Sequence, residues 1–71
     1  MIIYYKNCKI ECAREKTSSD EFLYYSIIDP NGYEIDCDYS HSRESVRSFM
    51  QSLKTIVDDY IKHPEYYKEE N

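Results

Sequence analysis

The chain alternates between apolar and polar positions with a two-residue period, then changes to a helical period near residue 43. Around the turn Asp29-Pro30-Asn31-Gly32 the signal is strongest. Pro30 presets φ for the first central position, Asn31 suits the second, and Gly32 accepts the left-handed conformation that follows. This predicts a three-residue hairpin loop, a type I turn followed by a glycine bulge, with Asp29 opposite Tyr33. Beyond the turn Tyr33, Ile35, Cys37 and Tyr39 alternate with Glu34, Asp36 and Asp38. That pattern predicts a half-buried strand with an acidic outer face. Extending the register pairs Ile27 with Ile35, Tyr25 with Cys37 and Leu23 with Tyr39.

An earlier stretch alternates in the same way: Cys8, Ile10 and Cys12 are apolar, Lys9 and Glu11 polar. Pairing Ile10 with Tyr25 puts Cys8 beside Ile27 and Cys12 beside Leu23, with the polar stretch 14–21 as connection. A one-residue slip would turn a strand inside out, so agreement of the apolar faces constrains the register. Ile2, Ile3, Tyr4 and Tyr5 form either an extension of the first strand or a separate edge piece.

After Ser40 and Ser42, both N-cap candidates with Ser42 preferred, the period lengthens. Val46, Phe49, Met50, Leu53, Ile56, Val57, Tyr60 and Ile61 cover an arc of roughly 140° at about 100° per residue. Pro64 ends the helix. The predicted architecture is α+β: a three-stranded antiparallel meander (about 6–14, 21–29 and 33–40) with one helix (about 43–63) packed on one face. Residues 1–64 form a single domain, and 65–71 an acidic flexible tail.

Composition narrows the use of this fold. At 71 residues there is room for one domain and one thin core. Nine tyrosines supply most of the aromatic content, and tyrosine suits the margin of a core or an interface. A net charge of −5 opposes binding to polyanions, and no apolar run approaches the ~20 residues of a membrane span. With no leader in evidence, the expected location is the cytoplasm.

Candidate chemistry is sparse. Cys8 and Cys12 stand about 13 Å apart on one strand at ~3.3 Å per residue, too far for a disulfide, and Cys37 is two strands from Cys8. Free buried thiols are expected, and Cys8, Cys12, Cys37 and His41 match no usual zinc spacing. His41 and His63 fall at opposite ends of the helix. Glu34, Asp36 and Asp38 repeat at about 6.6 Å along one strand, but a bare sheet offers no cleft to hold a sugar between such carboxylates. Ser40, Ser42 and Ser45 lack a base with an orienting partner. No enzyme activity, cofactor, metal or small-molecule substrate is indicated.

One helix leaves the other sheet face uncovered. In the predicted register that face carries Phe22, Tyr24 and Ile28 on the middle strand, with Glu34, Asp36 and Asp38 beside them. These six residues are the expected interaction surface of a non-enzymatic binding or regulatory module, self-associating as a homodimer or docking a protein partner. A second reading is a nucleic-acid-linked protein. It would be a weak binder using Arg14, Lys16, Arg43 and Arg47, or an acidic mimic acting on a nucleic-acid enzyme. The architecture resembles AP2-type and integrase-arm DNA-binding domains, which read DNA with basic residues on the open sheet face; here acids on that face argue against the activity. From Ile10 to Tyr60, through Tyr24-Tyr25-Ser26-Ile27-Ile28-Asp29-Pro30-Asn31-Gly32, the chain also resembles short uncharacterised bacterial proteins. They share an Asp-Pro-x-Gly hairpin followed by an amphipathic helix. That resemblance implies a hairpin and no activity.

Overall fold

The computed structural model describes residues 1–68. The chain is α+β, but with four strands where the sequence pattern predicted three: β1 (Ile2–Tyr5), β2 (Cys8–Lys16), β3 (Glu21–Ile28) and β4 (Glu34–Ser40), then α1 (Val46–Lys62). They form one antiparallel sheet in the order β1-β2-β3-β4.

The extra strand exists because a tight turn hides in Lys6-Asn7. Both residues have positive φ, 50° and 67°. That is the backbone of a two-residue hairpin turn whose twist matches the strands it joins, and it normally selects Asn-Gly or Asp-Gly. Lys6 is a poor steric match for this conformation. Its Nζ lies 2.7 Å from Asp58 Oδ1 on α1, and the Tyr5 hydroxyl donates to the same carboxylate at 3.0 Å. These bonds tie the turn to the helix and hold the Asp58 carboxyl below its ordinary pKa, with the Lys6 bond the largest cause.

The β2–β3 register is two residues away from the predicted one: Ile10 faces Ile27 and Cys12 faces Tyr25. The strands run on through Arg14-Glu15-Lys16, and the reversal is a short turn in which Thr17 N–H donates to Asp20 O at 2.8 Å. A shift of two preserves the faces, so Cys8, Ile10, Cys12, Leu23 and Ile27 are buried under the helix as expected.

The Asp29-Pro30-Asn31-Gly32 loop matches its sequence. Asp29 N–H donates to Tyr33 O at 2.9 Å, Gly32 N–H donates to Asp29 O at 3.0 Å, and Gly32 takes φ 87°. Beyond it the strand departs from simple alternation. Ile28 faces Glu34 but Ile27 faces Asp36, so Ile35 is the extra residue of a β-bulge. Ile35 points into the core. Every residue after it is turned over relative to the predicted face.

Helix α1 begins at Val46, three residues later than predicted, because Ser45 is the N-cap and its hydroxyl accepts the Ser48 N–H at 3.0 Å. Met50, Leu53, Val57 and Tyr60 bury the helix against β2 and β3, whereas Ile61 stays half exposed. The molecule is 17 Å thick along its shortest axis, the depth of one sheet and one helix.

Asp29, only 6% exposed, anchors the end of the core. Its Oδ1 accepts N–H groups from Asn31 (2.9 Å) and Tyr33 (2.8 Å), and its Oδ2 accepts the Tyr60 hydroxyl at 2.7 Å. Burial alone would raise the carboxyl's pKa. The Tyr60 hydroxyl and the two N–H groups outweigh it and hold the carboxyl below its ordinary value. Where a flexible tail was expected from residue 65, Pro64–Tyr66 makes a 3₁₀ turn and Tyr67 packs edge-on to Tyr60, with its carbonyl accepting the Tyr33 hydroxyl at 2.5 Å. Residues 69–71 of the expected tail lie outside the described residues.

Candidate functional site: the open sheet face

With β1 included, the uncovered face is wider than a three-stranded sheet provides. Side chains alternate across a strand, so the register assigns its rows directly. β1 contributes Ile2 and Tyr4, opposite Glu11 and Lys9 of β2. β3 contributes Phe22, Tyr24, Ser26 and Ile28, as predicted. β4 contributes Glu34, Cys37 and Tyr39, with Cys37 opposite Ser26 and Tyr39 opposite Tyr24.

The bulge at Ile35 changes the site. Asp36 and Asp38 were expected on the open face and are not there: they face Ile27 and Tyr25, on the helix side of the sheet. Tyr25 shows the consequence, because its hydroxyl donates to Asp36 Oδ2 at 3.3 Å while its ring packs on Phe49 of α1. Burial, then the Asp36 charge, pushes the Tyr25 hydroxyl up to about 12. In the same movement Cys37 and Tyr39, expected under the helix, come out into solvent. Of the six predicted surface residues, Phe22, Tyr24, Ile28 and Glu34 share the open face; Cys37, Tyr39, Tyr4 and Ile2 are members that periodicity missed.

The result is an aromatic cluster on an open sheet. Phe22 and Tyr39 meet edge to face at 4.9 Å, and Tyr24 lies 5.6 Å from Tyr39 at an interplanar angle of 54°. His41 approaches Phe22 at 6.4 Å. Such pairs contribute about 0.5–1.5 kcal/mol beyond area burial. Tyr39 remains 59% exposed and Tyr4, at the far side of the sheet, 73%. The Cys37 thiol lies 3.9 Å from the Tyr24 hydroxyl, a contact that raises the hydroxyl's pKa. Glu11 and Lys9 of β2 lie between the β1 row and β3, and Ser26 of β3 is buried opposite Glu11. Charge on this face is mixed, from Lys9, Glu11, Glu15 and Glu34.

Elsewhere the polar residues are accounted for by structure. Cys8 and Cys12 are buried free thiols whose pKa burial raises, so neither is a ready nucleophile. Among the described residues no group of His, Cys, Asp and Glu converges on a metal-sized site, and no helix is long and apolar enough to cross a membrane. His41 pairs with Asp20 at 3.0 Å and His63 stacks on Tyr66 at 4.8 Å. One open groove of about 830 Å³ lies between the β2–β3 turn and the segment leading into α1. Arg14, Lys16 and Arg43, three of the four cations singled out from sequence, line it together with His41, Asp20 and Glu21; Arg47 does not. The Arg14 guanidinium donates to Glu44 O and lies 3.4 Å from Glu21 Oε1.

Comparison with protein-family models, with curated proteins and with solved structures finds no match for the chain.

Proposed function

We propose that the chain is a small non-enzymatic interaction module whose open sheet face docks a second copy of itself. The observation that carries this reading is the aromatic cluster Phe22-Tyr24-Tyr39, whose rings meet one another on a face no element covers, with Phe22 and Tyr24 half-buried and Tyr39 exposed. Exposed clusters of this kind mark interfaces, and tyrosine is enriched at interface centres because its ring buries area at low entropic cost.

Size sets the expected strength. Four strands at ~4.8 Å spacing and about seven residues at ~3.3 Å span a footprint of roughly 440 Å². Two such faces bring together roughly 900 Å², near the lower limit for specific association. The footprint is roughly a tenth of the 5074 Å² the molecule exposes, an ordinary share for an interface. A reversible dimer is therefore expected, populated at micromolar concentrations and above. Lys9 on a face otherwise acidic offers one favourable cross-dimer pairing, with Glu11 or Glu15 of the second copy.

Sedimentation velocity over a micromolar concentration series tests the proposal. The parent chain is expected to dimerise, and Tyr39→Lys and Tyr24→Lys to stay monomeric with unchanged circular dichroism. A parent that stays monomeric at high micromolar concentration would sink the reading, as would a dimer indifferent to both substitutions.

The groove holding Arg14, Lys16 and Arg43 favours a second reading, weak binding of a phosphate-bearing polymer. Gel shift in ~50 mM salt, where phosphate contacts are strongest, tests it; absence of a shift removes it.

A further inference from the structure

We propose that Asp36 and Asp38 close the outer edge of β4 to strand addition, so that a partner must be a folded surface laid on the open face rather than an extended strand. The second half of this statement rests on the reading above; the first does not.

β4 is the last strand of the sheet and has a neighbour on one side only. In an antiparallel sheet, alternate residues of an edge strand turn their N–H and C=O groups outward, where they form a template for another strand. On β4 two donors in the middle of the strand are already taken. Cys37 N–H donates to Asp36 Oδ1 at 2.9 Å, and Tyr39 N–H donates to Asp38 Oδ1 at 2.8 Å. Each carboxylate occupies the N–H of the following residue.

The bulge makes this arrangement possible. It takes both acids off the open face, and α1 lies over β2 and β3, so the rim at β4 is left clear for them. The Tyr25 hydroxyl holds Asp36 Oδ2 at 3.3 Å, which leaves Oδ1 for the Cys37 N–H. An incoming strand would have to break two charge-assisted bonds, which are about twice as strong as neutral ones, and set its carbonyl oxygens against two carboxylates. At the other edge β1 is four residues long, too short to template much.

The test combines amide hydrogen exchange with sedimentation velocity, on the parent, the Asp36→Ala/Asp38→Ala double variant and the Asp36→Asn/Asp38→Asn double variant. In the parent, the Cys37 and Tyr39 amides are expected to be protected although they lie on an edge. In the alanine variant, at low concentration, they exchange at least about tenfold faster. At higher concentration that variant assembles beyond the dimer, and in a Tyr39→Lys background, where the face contact is lost, it still pairs edge to edge as a dimer. The asparagine variant, whose carboxamide oxygens accept the same bonds without the charge, opens less than the alanine variant. Asp38→Ala alone covers the case in which the double variant unfolds, because Asp38 makes no other side-chain hydrogen bond among the described residues. Parent amides that exchange at unprotected rates would overturn the proposal. So would alanine variants that keep the parent's size distribution, or asparagine variants that open as readily as alanine. Loss of the dimer in Tyr39→Lys alone bears on the open face and leaves the edge result to stand or fall by itself.

Discussion

Removing one oxygen atom from Tyr60 tests how much the buried carboxylate at the hairpin end contributes. Tyr60→Phe keeps the ring, and with it the stacking on Tyr33 at 6.3 Å and the edge contact with Tyr67 at 5.7 Å. It deletes the 2.7 Å bond to Asp29 Oδ2 and the hydroxyl's interaction with Lys68 at the surface. A hydrogen bond to a charged group contributes about 1.5–3 kcal/mol, and Asp29 keeps both N–H donors on its other oxygen, so a loss of about 2 kcal/mol is expected at pH 7. A core this thin yields roughly 3–5 kcal/mol net, and each kcal/mol moves the midpoint of a 60–100-residue domain by about 4–8 °C, so the melting temperature should fall by roughly 10 °C. The pH dependence identifies the charge. The Asp29 carboxyl has a lower pKa folded than unfolded. Its stabilisation is therefore present above the unfolded value of ~3.9 and is lost as pH falls through the folded one. The gap between Tyr60→Phe and the parent should narrow below that point. Urea unfolding followed by circular dichroism at pH 7 and again near pH 2.5 measures both quantities. A loss under about 0.5 kcal/mol at pH 7, or an equal loss at both pH values, would mean that Tyr60 acts through ring packing and would refute the argument.

Two further outcomes follow from the backbone and the thiols. Asn7→Ile places a β-branched residue at φ 67°, and chemical denaturation should show a loss of about 1–2 kcal/mol, while Asn7→Gly should be neutral or stabilising. Native protein treated with a chromogenic disulfide should release one equivalent, from exposed Cys37, and three only after unfolding exposes Cys8 and Cys12; three rapid equivalents in the native state would contradict their burial.

Local features of the sequence specified more of the fold than long-range ones did. The β3–β4 turn was legible because Pro30, Asn31 and Gly32 each carry a backbone preference that needs no tertiary context. The helix was legible because eight apolar residues share one arc, although its first turn was placed early: Ser42 and Ser45 are equally good caps by chemistry, and the helix starts from Ser45. The β1–β2 hairpin was not legible, since Lys6-Asn7 lacks glycine and is held in its conformation partly by Asp58, 52 residues away. The β2–β3 register came out two residues from its predicted place because apolar alternation fixes parity and not position.

The open face divides along the same line. Phe22, Tyr24 and Ile28 belong to it by the alternation of β3, which local pattern is enough to fix. Whether Asp36 and Asp38 or Cys37 and Tyr39 join them was decided only in the tertiary structure. Alternation from Tyr33 to Tyr39 is unbroken in sequence, and a bulge at Ile35 costs the pattern nothing visible. The extra residue keeps Ile35 in the core, gives the Tyr25 hydroxyl its acceptor in Asp36, and turns Tyr39 outward instead of the acids.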